Sequence, residues 1–327
     1  MYTLIIVDYN SIEKTIEYIR KCRENLDSKE VSHIVIVENG DKGDLVVSLC
    51  QAFGEYRTQM CPNVGKAVFV FQSGDHEIVY CDSGANLGFA KGNNLGVRIS
   101  VDLWDDRYYI FSNTDLEFPR KMDLSIVTEL FEQNPNIGLI GPQVRSLEGE
   151  QQSPRKHIGA IARLILRYWI PFTRFLWGQK NAQKLWDKCC NNVVDNAPNG
   201  AYAWIMGCFM IARKESFFQV GMFDEHTFLY AEEAILSKRL ENSGFVTYFC
   251  NEIELLHERW GQTKQYYTNL KIQELEFESN SYFYKTYMHT PRIWLGLAGV
   301  LFKWYVAYVM WRMRRKEKKH DDRRMQG

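Results

Sequence analysis

The sequence predicts an α/β fold, an open sheet flanked by helices, with a helical C-terminal extension. In the first third, short apolar runs alternate with amphipathic segments, and each apolar run stops at a cluster of polar and glycine residues. Near the C-terminus, a long apolar run followed by a basic cluster sets the extension apart. At 327 residues the chain is long enough for one large domain or two ordinary ones.

Residues 2–7 read as a strand ending in Asp8-Tyr9-Asn10-Ser11, cap-type residues for an amphipathic helix running to about Asn25. Residues 33–37 form a second buried strand, ending in Glu38-Asn39-Gly40. Residues 77–81 lead into Asp82-Ser83-Gly84-Ala85-Asn86, and residues 107–111 into Ser112-Asn113-Thr114-Asp115. Ligands of open α/β sheets bind at the carboxyl ends of strands, so four such clusters imply one composite pocket. Further on, 121–133 reads as a helix, 137–140 as a strand and 201–212 as strand-like. Residues 231–242 read as a helix closed by Gly244, and 245–250 as a final strand.

Forty basic residues balance forty acidic ones, so no global charge favours a nucleic-acid partner. The eight cysteines include no CxxC pair, and Cys189 and Cys190 are adjacent, which points to reduced thiols in a cytosolic compartment. The apolar run at 4–7 is too short for a signal-peptide core. Between 155 and 190, eight Lys or Arg residues face one acid, Asp187, and are interleaved with aromatics such as Tyr168, Trp169 and Trp177. That pattern suits the headgroup region of an anionic bilayer. A calmodulin-type target, a nucleic-acid patch or a plain helical insertion over the core would carry the same pattern.

Residues 294–311 are apolar except for Lys303 and precede Arg312, Arg314, Arg315, Lys316, Lys318 and Lys319. Eighteen residues only just reach spanning length, and Lys303 penalises insertion. An in-plane anchor is therefore the first reading, a span the second and a soluble packing helix the third. The expected location is cytoplasmic, peripheral on the inner face of the cell membrane.

The most informative stretch is Asn86-Leu87-Gly88-Phe89-Ala90-Lys91-Gly92-Asn93-Asn94. Its glycines let backbone pass close to a ligand, and Asn86 and Lys91 offer polar contacts at an expected helix start, where N–H groups favour phosphate. It contains neither a Walker loop nor a GxGxxG fingerprint. The stretch resembles the NLGFAxGNN signature of family 2 inverting glycosyltransferases, in their rhamnosyltransferase-like branch. Three further segments follow in that family's order: Asn113-Thr114-Asp115, similar to its N-x-D form of the D-x-D metal motif; Gly207 to Lys214 with Gly221-Met222-Phe223-Asp224-Glu225; and Phe228-Leu229-Tyr230-Ala231-Glu232-Glu233. The resemblance covers about 2–262, apart from 41–75 and 155–198.

The resemblance implies a GT-A domain over 1–262, a Rossmann-like, mostly parallel mixed sheet, with the basic aromatic insertion at 155–198 and a membrane-associating helical extension over 263–327. It implies a divalent cation, Mg²⁺ or Mn²⁺, on Asp115, and places His257, in a segment similar to the family's late H-x-x-G-x-[ST], near the metal or diphosphate. The catalytic base falls on Glu233, where many relatives carry Asp; with the longer side chain, Glu232 stays open. Donor contacts fall on Asp8, Glu38, Asn39, Asn86, Gly88, Lys91, Asn113 and Arg155. Glu38-Asn39 departs from the family's Asp-rich turn, which leaves uracil and thymine both open.

The implied reaction moves a sugar, rhamnose first, from a UDP- or dTDP-sugar to a lipid-linked or polysaccharide acceptor. A non-catalytic nucleotide-sugar-binding scaffold subunit is the alternative. A nucleotidyltransferase would bring a Gly-rich basic loop after the first strand, where Asp8-Tyr9-Asn10-Ser11 stands instead. The oligomeric state is not encoded in these patterns.

Overall fold

The structure is a computed structural model that describes residues 1–40, 45–156, 161–178, 180–182, 184–185, 192–258 and 268–324, with the side chains of 171–177 and 316–324 left aside. It divides into two units, one of residues 1–158 and 193–262, the other of 159–192 and 263–327.

In chain order the elements begin β1 (Tyr2–Asp8), α1 (Ile12–Asn25), β2 (His33–Glu38), α2 (Val46–Phe53), β3 (Tyr56–Cys61), β4 (Lys66–Ser73) and β5 (His76–Asp82). Next come α3 (Gly88–Leu103), β6 (Tyr108–Ser112), β7 (Leu116–Glu117), α4 (Ser125–Gln133) and β8 (Ile137–Ser146). Helix α5 (Ile161–Trp177) belongs to the second unit. The first unit resumes with β9 (Gly200–Tyr202), β10 (Phe209–Arg213), α6 (Lys214–Gln219), α7 (Glu232–Asn242) and β11 (Val246–His257). The second closes with α8 (Asn269–Thr286) and α9 (Arg292–Arg324).

The strands of the first unit form one mixed sheet in the order β3-β4-β5-β2-β1-β6-β10-β8-β11-β7, with β9 on β11. Its centre, β5-β2-β1-β6, is parallel throughout. The chain steps outward from β1 through β2 to β5, then crosses back to β6 on the other side of β1. That reversal opens a crevice over the carboxyl ends of β1 and β6, where ligands of such sheets bind. Because the four strands are parallel, the four polar clusters expected from the sequence lie along one edge.

The strands read as continuous apolar runs because both faces are covered. Leu4 and Ile6 pack with Ile16 and Ile19 of α1, Phe53 of α2 and Phe131 of α4. Between them, Ile5 packs with Val97 and Ile99 of α3 and Leu236 and Leu240 of α7. Helix α3 lies unusually close to β1. A Cβ on Gly96 would stand 2.5 Å from Ile5 Cγ2, and one on Gly92 3.0 Å from Val7 Cγ1.

Several elements differ from the sequence reading. The hairpin β3–β4 fills the unassigned stretch; β3 is an exposed edge strand, so its sequence carries little apolar signal. Helix α4 starts at Ser125, not 121, because Asp123 Oδ1 accepts from both Ser125 N and Oγ, holding the preceding turn open. The apolar stretch 201–212 is two strands with different partners, β9 on β11 and β10 between β6 and β8. Strand β11 continues past Cys250 to His257 through a register shift between Cys250 and Glu254, so Asn251-Glu252 form an irregularity rather than a stop.

In the second unit, α5, α8 and α9 pack together. Tyr168 of α5 contacts Phe277 of α8 and both Phe302 and Tyr305 of α9. Arg167 and Glu276 pair at 2.5 Å beside that aromatic cluster. The Thr268 hydroxyl accepts from Lys271 N and starts α8.

Candidate active site

The extension of β11 has a direct consequence. His257 pairs in register with Leu116 of β7, the residue after Asp115, and so comes to stand beside that acid. His257 Nε2 lies 3.6 Å from Asp115 Oδ1, and both side chains are nearly buried. On its other side, His257 Nδ1 is 2.9 Å from Gln152 Oε1. A carbonyl oxygen only accepts, so Nδ1 carries the proton and Nε2 turns a lone pair toward Asp115. Asp115 Oδ1 is buried with no hydrogen-bond partner among the described residues. Two ligands at ~2.1 Å from one cation stand roughly 3 Å apart, so an orphaned carboxylate oxygen and an imidazole lone pair at this separation fit a divalent cation. Among the described residues no group of three or more His, Cys, Asp or Glu gathers in this way, so these two would be its protein ligands.

Glu232 and Glu233 open α7 on a strained approach. Tyr230 and Ala231 both adopt left-handed backbone, with φ of 77° and 70°. Each such non-glycine residue costs about 1–2 kcal/mol and persists only where surrounding contacts over-determine it. The two acids then diverge. Glu232 is 5% exposed. Burial, then the neighbouring Glu233 charge, pushes its carboxyl up to about 8, so it is protonated at neutral pH. Glu233 is partly exposed and lies against Gly207, where an added Cβ would stand 3.4 Å from its Oε2. The next residue, Cys208, accepts at its carbonyl from Asn113 N at 2.9 Å. Its buried thiol is raised above its usual range by burial, then by Asp115 and also by Glu233. One sulfur therefore lies within electrostatic reach of both Asp115 and Glu233, and the Gly207–Cys208 segment adjoins Glu233 on one side and the Asn113–Asp115 turn on the other.

The start of α3 fastens this arrangement. Gly88 has φ +72°, and Phe89 N donates to Phe228 O at 2.9 Å. A Cβ on Gly88 would stand 2.3 Å from that same oxygen. Asn94 donates from Nδ2 to Phe223 O and accepts at Oδ1 from Phe223 N, pinning the segment before the acids. The Gly88→Ala variant is expected to lose about 2–4 kcal/mol, from the left-handed backbone and the displacement of Phe228. Urea denaturation measures that loss, which should be accompanied by a fall in activity as the 228–233 segment shifts.

No protein-family model matches the chain. At 25% identity over 190 residues, it resembles the N-acetylglucosaminyl-diphospho-decaprenol L-rhamnosyltransferase of Mycobacterium tuberculosis, over 54% of this chain and 57% of that protein. The chain thus spans little more than half the length of that relative. It is 26% identical to the low-salt glycan biosynthesis hexosyltransferase Agl10 of Haloferax volcanii over 88% of this chain and 72% of Agl10. It is 22% identical to the rhamnosyltransferase WbbL of Escherichia coli, over 74% and 78%. Among solved structures, the Pyrobaculum calidifontis mannosyltransferase PcManGT, in complex with GDP-Man and Mn²⁺, superposes with TM-score 0.53 at 10% identity, over 94% of this chain and 72% of that one. GalNAc-T7, with UDP, GalNAc and Mn²⁺, gives 0.54 at 12% identity, over 96% and 57%. The chain has the GT-A glycosyltransferase fold.

Within the GT-A sheet, the residues expected to contact the donor divide into two groups. Asn86 and Lys91 are exposed at the start of α3, although Asn86 Oδ1 also accepts from Gly88 N. Asn113 is half-buried at the end of β6. Asp8 does not line the cleft as expected: it is 1% exposed, and its carboxylate accepts from Ser11 N, Ser11 Oγ and Thr15 Oγ1. Its short side chain is taken up in starting α1. Asn39 donates to Gly88 O at 2.9 Å, so β2 also holds the signature turn. Arg155 lies three residues beyond Gln152, with its guanidinium 5.2 Å over the Trp204 ring. Beyond Glu258, the rest of the H-x-x-G-x-[ST] segment lies outside the described residues. Gln152, Gly207 and Cys208, which adjoin the candidate site, were not singled out from the sequence for these roles; Gly207 and Cys208 lie in the segment from Gly207 to Lys214 that carries the resemblance, whereas Gln152 left no signal.

Glu38 sits in register with Asp8 across β1 and β2. Burial, then the Asp8 carboxyl, raises it from an ordinary 4.5 to about 8. A carboxyl that holds its proton more tightly when folded contributes stability that is complete below its unfolded pKa and is lost as pH rises through about 8. Glu38→Gln removes that loss. The variant is expected to match the parent near about pH 5 and to exceed it by about 1–3 kcal/mol near about pH 9, read by urea unfolding at the two pH values.

Proposed function

We propose that this protein is a metal-dependent inverting glycosyltransferase of the rhamnosyltransferase-like kind. It moves a hexose, rhamnose first, from a UDP- or dTDP-sugar to a lipid-linked or polysaccharide acceptor at the cytoplasmic face of a membrane. The observation that carries the reading is the Asp115–His257 pair, 3.6 Å apart with an unpartnered carboxylate oxygen, joined through Asn113 and the Gly207–Cys208 segment to Glu233. Two of the similar curated proteins are named rhamnosyltransferases, one for a diphospho-decaprenol-linked substrate, and two similar GT-A structures hold Mn²⁺ with a nucleotide or nucleotide-sugar.

Asp115 and His257 would hold Mg²⁺ or Mn²⁺, and Gln152 keeps the imidazole in the ligating tautomer. The cation, when bound, supplies positive charge to a diphosphate whose negative charge grows as the sugar leaves. Asn86 and Lys91, exposed at the amino end of α3, would meet the same phosphates. Glu233 accepts the proton of the acceptor hydroxyl as that oxygen attacks the anomeric carbon from the face opposite the diphosphate. The bond to the leaving oxygen breaks with its electron pair, and configuration inverts. Glu232, neutral and buried, positions the helix start without adding a second charge beside the base.

A thermal-shift panel of UDP-, dTDP- and GDP-sugars, with and without Mn²⁺, tests the reading. UDP- or dTDP-sugars are expected to raise Tm only when metal is present. Stabilisation by GDP-sugars alone would overturn the donor assignment. Donor binding with no hydrolysis or transfer under any metal would favour a scaffold subunit.

A further inference from the structure

Helix α9 keeps much of its apolar surface uncovered. Over Arg292–Arg315 it is long and apolar enough to cross a membrane, yet only 11% of its apolar window is buried, unlike the core helix of a soluble domain. One face, carrying Ala298, Leu301, Phe302 and Tyr305, turns inward. The exposed face carries Ile293, Leu297, Val300, Trp304, Ala307 and Trp311, spaced four, three, four, three and four residues apart. This stripe runs for about 27 Å at ~1.5 Å per residue. Arg312, Arg314 and Arg315 follow it, all exposed, with Arg315 4.5 Å over the Trp311 ring and Arg312 5.7 Å over Tyr308.

We infer that α9 lies flat in the interfacial layer of an anionic bilayer, this stripe toward the acyl chains and its basic end on the headgroups, rather than crossing it. What the inward face packs against argues against a span. Phe302, midway along the apolar stretch, stacks at 4.2 Å on Phe277 of α8, next to Glu276 and its ion pair with Arg167. Helix α8 also carries Lys271, Glu274, Glu278 and Lys285. A transmembrane α9 would drag that ion pair, the polar helix α8 and the exposed Lys303 to the depth of the hydrocarbon, at several kcal/mol per unpaired charge. Laid in the plane, α9 keeps α8 and the ion pair on the aqueous side, and Lys303 can extend to the headgroups. The basic end selects negative lipid. The inference rests on the exposure of α9 and stands apart from the transfer reaction.

The test is sedimentation of the full chain with phosphatidylcholine vesicles and with vesicles of phosphatidylcholine and phosphatidylglycerol. The expected result is binding to the anionic vesicles that alkaline carbonate reverses. The double variant Val300→Asp/Trp304→Asp, at two exposed positions and with unchanged circular dichroism and Tm, should bind them at least about tenfold more weakly. Hydrolysis of the nucleotide-sugar should be unaffected. Resistance to carbonate would establish a span and overturn the inference. So would absence of vesicle binding with an elution volume that shifts with protein concentration, since the stripe would then serve a second copy of the chain.

Discussion

Glu233→Gln is expected to lower kcat by about 10²–10⁴-fold while donor binding stays within about twofold. Glutamine keeps the shape of the side chain against Gly207 but cannot take a proton from the acceptor hydroxyl. The loss therefore falls on the chemical step and spares the nucleotide, as expected of an interaction made only in the transition state. The neighbouring acid provides the control. Glu232 already holds its proton at neutral pH, with its carboxyl near 8 and its surface 5% exposed. Glutamine at 232 imitates that neutral state, so Glu232→Gln should keep most of the activity. Single-turnover transfer and donor titration on both variants decide the matter. If Glu233→Gln is fully active and Glu232→Gln is dead, the base is Glu232, and the buried carboxyl must ionise during the cycle.

The contrast between the two acids also shows what the sequence could and could not convey. Two adjacent glutamates at a helix start read equally well as dipole-complementing residues or as a catalytic pair. Which of them is buried and which stays partly exposed depends on the left-handed turn at Tyr230 and Ala231, two residue types that give no hint of positive φ. The parallel strands were legible because both faces are buried and the apolar runs are continuous. The hairpin β3–β4 was not, since an exposed edge strand lacks that signal. The glycine–asparagine signature was legible as a motif but not in its physical role. Gly92 and Gly96 admit close packing on β1, Asn94 and the Gly88–Phe89 turn hold the acid segment, and only Asn86 and Lys91 face outward. Asp8, by position a ligand-facing residue, turned inward because Ser11 and Thr15 supply three donors to its carboxylate.

Asp115→Ala is expected to weaken Mn²⁺-dependent donor binding about 10–100-fold, with little change in the residual binding measured without metal. Asp115 and His257 come from segments far apart in sequence, joined only because β11 runs on past Cys250 to pair with β7. Removing the carboxylate leaves the imidazole as the single protein ligand, and one neutral nitrogen cannot hold a hard cation against water. The hole at position 115 also relieves an unpaired buried oxygen, so stability should hold or rise slightly, which separates loss of metal from loss of fold. Gln152→Ala extends the test one residue outward. It removes the acceptor 2.9 Å from His257 Nδ1 and should weaken the Mn²⁺ dependence in the same direction but by less. Isothermal titration of nucleotide-sugar at a series of Mn²⁺ concentrations reads all three proteins on one scale. If Asp115→Ala and the parent gave superimposable metal dependences, the cation would have to be held elsewhere, and the pairing of Asp115 with His257 would be a structural contact between β7 and β11.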